Sequence, residues 1–312
     1  MMPTNSVSSS EQFLATQRYP LKIAVVHATA CLAAVLVACG LWPSSSAAAD
    51  ILYGVTATHL VTIDPVDPSS VTIVGPHNLT VSMTPSTIPL TLAYDPRNGL
   101  LVGNTTTFPT GHPRNLVRYN RATGDATVLG PLSDATSGSF YQGIEYVDSL
   151  DSFLAGFYAP PAHVADEIRT VDLFGNTSHV VTTTPPIDIN GAVYDSTRDL
   201  FYSTDVHGPG PNQLVEIDLV TGMHWNRGAF PLAHQGGWAI AYSADRDAIF
   251  LESGGELYRT DAAGPISFTS VEIIAGDPIG GLAFVVPEPS TYILAVLGLI
   301  AFGRNRSRIR PR

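Results

Sequence analysis

Gly191-Ala192-Val193-Tyr194-Asp195 is followed, one short turn later, by Asp199-Leu200-Phe201-Tyr202, and this pair of apolar runs recurs along the chain. Near-copies read Leu92-Ala93-Tyr94-Asp95 with Gly99-Leu100-Leu101-Val102, Gly143-Ile144-Glu145-Tyr146 with Ser152-Phe153-Leu154-Ala155, and Ala239-Ile240-Ala241-Tyr242 with Ala248-Ile249-Phe250. A last copy, Gly281-Leu282-Ala283-Phe284, has no partner after it. The aromatic members Tyr94, Tyr146, Tyr194, Tyr242 and Phe284 are 52, 48, 48 and 42 residues apart. A steady period of this length marks a fold assembled from repeated small sheets.

Further segments fill each repeat. The third has the form apolar-apolar-x-apolar/Thr-Asp: Leu60 to Asp64, Ile168 to Asp172, Leu214 to Asp218 and Leu257 to Asp261, with Leu116 to Asn120 carrying asparagine instead. Asp64, Asp172, Asp218 and Asp261 thus recur once per repeat at the start of a turn, where a carboxylate accepts backbone amides two residues on. The fourth segment is less regular, as in Val71 to Gly75 and Ala126 to Gly130. Short apolar runs between turn formers, with 27 glycines and 24 prolines in 312 residues, predict an all-β chain.

The count predicts closure. Four complete repeats begin at Tyr94, Tyr146, Tyr194 and Tyr242; the chain also starts with segments two to four (from Leu52) and ends with segment one (Gly281 to Val285). Three segments plus one make a fifth unit, so the expected fold is a five-bladed β-propeller of four-stranded antiparallel blades. It is closed by the C-terminal strand pairing with the N-terminal three. The recurring aromatics are expected between blades. The connections from second to third segments, rich in Pro, Gly and His, are expected together on one face, where binding usually resides. Trp225 and Trp238 are the aromatics expected nearest the surface.

Residues 1–49 read as an N-terminal region with an export signal: Arg18 and Lys22, an apolar run from Ile23 to Leu41, then small residues with Ala47 and Ala49 in an A-x-A arrangement before Asp50. An uncleaved anchor is the alternative. Leu36-Val37-Ala38-Cys39 resembles a bacterial lipobox, which would imply lipidation of Cys39. Both cysteines, Cys31 and Cys39, lie in this region, so residues 50–286 hold neither a disulfide nor a thiolate metal site. Those residues carry 25 acidic and 9 basic side chains, a net of −16, which disfavours nucleic acid as a partner.

After Val286 the sequence reads Pro287-Glu288-Pro289-Ser290, a short apolar run from Thr291 to Phe302, and five arginines from Arg304 to Arg312. Residues 287–312 are expected to form a short transmembrane helix and a basic end that stays in the cytoplasm. These three parts in this order resemble the PEP-CTERM sorting signal of Gram-negative bacteria. The resemblance implies export, transient retention in the inner membrane, and processing by an exosortase that recognises Pro287, Glu288, Pro289 and Ser290. The product would reside at the cell surface or outside the cell.

No G-x-S-x-G elbow, phosphate-cradling loop or His-Glu zinc pair is present. His112, His163 and His207 share the same expected loop position in successive repeats and are the candidate metal ligands; no cofactor is expected. The reading is an exported, non-enzymatic binding or matrix module with a glycan or matrix partner. The alternative is an envelope hydrolase or lyase working across the central funnel.

Overall fold

The computed structural model describes residues 50–79, 87–89, 91–107, 115–133, 140–158, 167–205, 212–230, 239–273 and 279–286. Blade 1 contains β1 (Ile51–Val55), β2 (His59–Ile63) and β3 (Val71–Pro76). Blade 2 contains β4 (Thr87–Pro89), β5 (Ala93–Asp95), β6 (Leu100–Thr107), β7 (Asn115–Tyr119) and β8 (Ala126–Pro131). Blade 3 is β9 (Phe140–Val147), β10 (Ser152–Tyr158), β11 (Glu167–Val171) and β12 (Thr177–Thr182). Blade 4 is β13 (Ile189–Asp195), β14 (Leu200–Asp205), β15 (Gln213–Ile217) and β16 (His224–Ala229). Blade 5 is β17 (Ala239–Ser243), β18 (Ala248–Ser253), β19 (Glu256–Asp261) and β20 (Thr269–Ile273). The last strand, β21 (Gly281–Val285), returns to blade 1 and pairs antiparallel with β1, with Leu52 opposite Phe284 and Val55 opposite Gly281. The ring of five antiparallel blades expected from the repeat count is therefore present, with its seam between the two ends of the ring sequence.

Alternation along the strands explains why the blades stack. Successive side chains point to opposite faces of a sheet, and here both faces are buried. In β7, Leu116 packs between blades 2 and 3 while Val117 packs between blades 1 and 2. In β14, Phe201 faces blade 3 and Tyr202 faces blade 5. Five apolar clusters result, one at every junction; that between blades 5 and 1 joins Phe250 and Leu257 to Leu52, Leu282 and Phe284. The outermost strands have one face in solvent, as the half-exposed Trp225 on β16 shows.

One detail differs from the sequence expectation of four strands per blade, and a second adds to it. The inner strand of blade 2 is split: β4 and β5 both pair with β6, and between them the Thr91 hydroxyl donates to Asn104 Oδ1 at 3.0 Å. The inner strands also approach more closely than a side chain allows. A Cβ on Gly143 (φ +53°) would lie 2.7 Å from the Ala192 nitrogen, and one on Gly281 would lie 2.5 Å from the Thr91 carbonyl carbon. Five inner strands converging on one axis need small residues at that level, and the repeats supply Thr91, Gly143, Gly191, Ala239 and Gly281.

Ala47, Ala49, Cys39, His112, His163, His207, Trp238, Pro287, Glu288, Pro289 and Ser290 lie outside the described residues, as do the signal segment and the tail expected to be helical. Among the described residues no helix is long and apolar enough to cross a membrane.

Candidate functional site

The turns joining the first and second strands of blades 2 to 5 gather at one end of the axis. Each begins just after a recurrent tyrosine. Five residues beyond that tyrosine stands a residue with positive φ: Gly99, Asp151, Asp199 and Asp247 (φ 64°, 49°, 56° and 47°). Only glycine and short polar residues enter that region readily. In blades 3, 4 and 5 this aspartate accepts the hydroxyl of its own tyrosine: Tyr146 to Asp151 at 2.6 Å, Tyr194 to Asp199 at 2.6 Å, and Tyr242 to Asp247 at 3.2 Å. In blade 2, where glycine replaces the aspartate, the Tyr94 hydroxyl donates instead to the Val286 carbonyl at 3.5 Å. Burial raises the pKa values of Tyr146, Tyr194 and Tyr242, the last to about 12, while the Tyr194 hydroxyl holds Asp199 below its ordinary 3.8.

Polar contacts link every neighbouring pair of blades around this rim. Arg97 of blade 2 meets Asp151 of blade 3 at 2.9 Å. Ser149 of blade 3 donates to Asp199 of blade 4 at 2.9 Å. Arg198 of blade 4 bonds its own Asp195 and, through both terminal nitrogens, Asp247 of blade 5, each at 2.6 Å. Ser243 of blade 5 donates to Asp50 at 3.1 Å, just before blade 1, and the Tyr94–Val286 bond joins blade 1 to blade 2.

Inside this belt lies a small axial cup of about 90 Å³. Tyr94, Tyr146, Tyr194, Tyr242 and Phe284 reach it from all five blades, together with Asp50, Glu145 and Asp148. The tyrosine rings also pack between blades, as Tyr94, Tyr146 and Tyr194 do in the junction cores. Glu145 is the exception in its register: the residues before the other aromatics are Ala93, Val193, Ala241 and Ala283. Loss of water around its carboxyl pushes Glu145 well above the ordinary 4.5, partly offset by the Tyr146 amide. Asp50 is also raised by burial, and its Oδ1 is buried without a hydrogen-bond partner. Among the described residues no Lys, Arg or His lines the cup, although the Arg246 guanidinium stands 5.9 Å from the centre of the Phe284 ring. A larger, open groove of about 600 Å³ lies off the axis between blades 5 and 1, where Arg259 is paired with Asp261 at 3.3 Å. Among the described residues, the axial cup draws side chains from every blade.

The sequence pointed toward the opposite face, and toward histidines that lie outside the described residues. Among the described residues no group of three or more His, Cys, Asp or Glu is placed to hold a metal. The once-per-blade aspartates stand at outer turns: Asp64 accepts the Val66 amide at 2.8 Å, Asp172 the Phe174 amide at 2.8 Å and Asp218 the Val220 amide at 2.7 Å. Asp261 instead accepts from Arg259 at 3.3 Å. Glu145 and Asp50 were missed. Aligning the repeats would have exposed Glu145, the one charged residue in a column of small apolar ones.

A second buried acid sits away from the cup. Glu252 on β18 is 6% exposed, accepts the Gly255 amide at 2.9 Å, and is pushed up by burial to about 7. The folded chain therefore keeps this proton to higher pH than the unfolded chain. Stability from this group is greatest below its ordinary 4.5 and declines as pH rises to about 7. Urea unfolding of Glu252→Gln against the parent should show the variant gaining, relative to the parent, about 3 kcal/mol across that window. Parallel stability profiles would contradict it.

The PEP-CTERM protein-sorting motif matches residues 285–307. The chain carries that motif. It marks the chain as an exported protein of the envelope or extracellular space. No curated protein matches the sequence. Solved structures similar to it include a chain of the nidogen/laminin complex, at TM-score 0.48 and 12% identity over 75% of this chain and 98% of that one. TolB from Acinetobacter baumannii gives 0.46 and 9% over 78% and 68%. An oligogalacturonate lyase in complex with manganese gives 0.40 and 13% over 72% and 62%.

Proposed function

We propose that this PEP-CTERM propeller is a non-enzymatic binding module whose axial cup takes an ammonium head group presented by a matrix partner. One observation carries this reading: four tyrosines, Phe284 and the Glu145 carboxyl converge from all five blades on one small cup that no basic residue lines among the described residues. Aromatic rings attract cations through their quadrupole, and a carboxylate completes the site. A space of about 90 Å³ is roughly three waters' share of liquid volume, so it suits a head group rather than a sugar ring.

Calorimetric titration with tetramethylammonium and ethylammonium chloride tests this. Saturable binding is expected, and it tightens as pH rises, because Glu145 must release its proton to pair with the cation. Glu145→Gln should weaken binding about tenfold or more and flatten the pH dependence, since a hydrogen bond to a charged group contributes about 1.5–3 kcal/mol. No saturable heat for either cation, or equal affinity in the variant, would sink the reading.

The same reading divides the chain into an export signal over residues 1–49, the propeller over 50–286 and a sorting tail over 287–312. In it the tail is held in the inner membrane until an exosortase-type enzyme acts at Pro287 to Ser290. Mass spectrometry of the protein from separated cell fractions would identify both mature ends and its residence.

A further inference from the structure

The first-to-second-strand turn of blade 5 lacks a side chain that blades 2 and 4 possess. Asp95 accepts the Arg97 and Asn98 amides at 2.9 and 3.1 Å, and Asp195 accepts the Thr197 and Arg198 amides at 2.9 and 3.1 Å. Both carboxylates are buried. Blade 5 has Ser243 at that position, whose oxygen accepts the Arg246 amide at 3.3 Å and Arg246 Nη1 at 3.5 Å. The missing acceptor comes from the other end of the ring sequence. Asp50 Oδ2 accepts the Ser243 hydroxyl at 3.1 Å and the Asp245 amide at 3.4 Å, and the Asp50 nitrogen donates to Asp245 Oδ2 at 3.2 Å. Asp50 is thus reciprocally bonded to Asp245, is 4% exposed, and leaves its Oδ1 buried and unsatisfied. A buried carboxylate oxygen without a donor calls for an explanation.

The sequence supplies one, because Asp50 directly follows the small residues of the expected cleavage site. We infer that cleavage between Ala49 and Asp50 turns the Asp50 nitrogen into an α-ammonium that pairs with Asp245 and clamps blade 1 to blade 5. The cleaving peptidase adds water across the Ala49–Asp50 bond: the hydroxyl goes to the Ala49 carbonyl carbon and a hydrogen to the Asp50 nitrogen, which then takes a proton from solvent. The ammonium keeps the hydrogen bond to Asp245 and gains charge and two further donors on the residue whose own Oδ1 lacks one. The charged and titratable groups facing it are the Asp50 and Asp245 carboxylates and Arg246, with Glu145, Asp148 and the four tyrosines across the cup; β1 and β21 bring no charged side chain. Asp50 is buried once docked, so cleavage precedes folding, as it does when a chain is processed during export.

The test compares the chain from Asp50 to Arg312, released from a fusion whose protease leaves no extra residue, with the same chain preceded by Ala48-Ala49. The longer chain keeps the amide hydrogen bond, so the comparison isolates the charge. The chain starting at Asp50 should melt about 2–4 °C higher at pH 7. An α-amine titrates at about 7.7–8.0 in an unfolded chain, and pairing raises it in the folded one. The gap is therefore full below the unfolded value and closes as pH rises through the folded one. Asp245→Asn in both chains should abolish it. Equal melting at pH 7, an unchanged gap in the Asp245→Asn pair, or a native protein whose mass places its first residue elsewhere would each overturn the proposal.

Discussion

A chain ending at Gly280 is expected to lose its cooperative unfolding transition, while one ending at Val286 melts as the full chain does. The difference is β21. Its Leu282, Phe284 and Val285 are buried, two of them in the core between blades 5 and 1 and the third between blades 1 and 2. Burying each such side chain contributes about 1.5–3 kcal/mol, and a domain's whole stability is about 5–15 kcal/mol. Removing the strand also frees one edge of β1, whose partners Phe284 and Ala283 are gone, and opens a long apolar edge to other chains. Circular dichroism during heating, with light scattering alongside, reads both effects. A chain ending at Gly280 that melts sharply and at the parent temperature would show that the seam does not hold the ring shut.

Much of this architecture is written in local pattern. The 48-residue spacing of Tyr146, Tyr194 and Tyr242, and the alternation that sends Leu116 and Val117 to opposite junctions, follow from strand geometry alone. Closure was legible too, because an incomplete unit at each end leaves unpaired backbone that only mutual pairing satisfies. The site was less legible, and for a physical reason. Its contacts run between turns that are neighbours in space but about fifty residues apart in the chain, as with Arg198 and Asp247. The tyrosine-to-aspartate bonds did leave a trace, since Gly99, Asp151, Asp199 and Asp247 all stand five residues after their tyrosine and all tolerate positive φ. The sequence instead drew attention to Tyr-Asp, whose aspartate serves the turn backbone. Asp50 had no such trace: a repeat in blade 5 that lacks an aspartate shows only a serine, and nothing local says that the replacement arrives from 193 residues upstream.

Replacing Arg198 with methionine is expected to destabilise the ring more than any other single change at the rim. Its guanidinium bonds the fully buried Asp195 and the half-exposed Asp247 of the next blade. Methionine keeps the apolar stem and removes the charge, leaving the Asp195 carboxylate with its two turn amides and no counter-ion. Removing one partner of a buried pair costs about 3–5 kcal/mol. Arg198 is 28% exposed and water can reach the vacated space, so about 2–3 kcal/mol is expected. For a chain of this size that is a fall in Tm of roughly 5–10 °C. The comparison that gives the result meaning is Arg97→Met. That arginine also bridges blades, but its side chain and those of Asp148 and Asp151 are about half exposed, so water replaces the pairing and the melting temperature should barely move. Acid should narrow the difference between parent and Arg198→Met. The guanidinium holds Asp247 below its ordinary 3.8, so the stability it lends is present above that value and is lost as pH falls through the lowered one. Adding Asp195→Asn to Arg198→Met removes the stranded charge and should recover part of the loss. If the single variant melts with the parent, or the added asparagine lowers stability further, the buried carboxylate is not what the arginine serves.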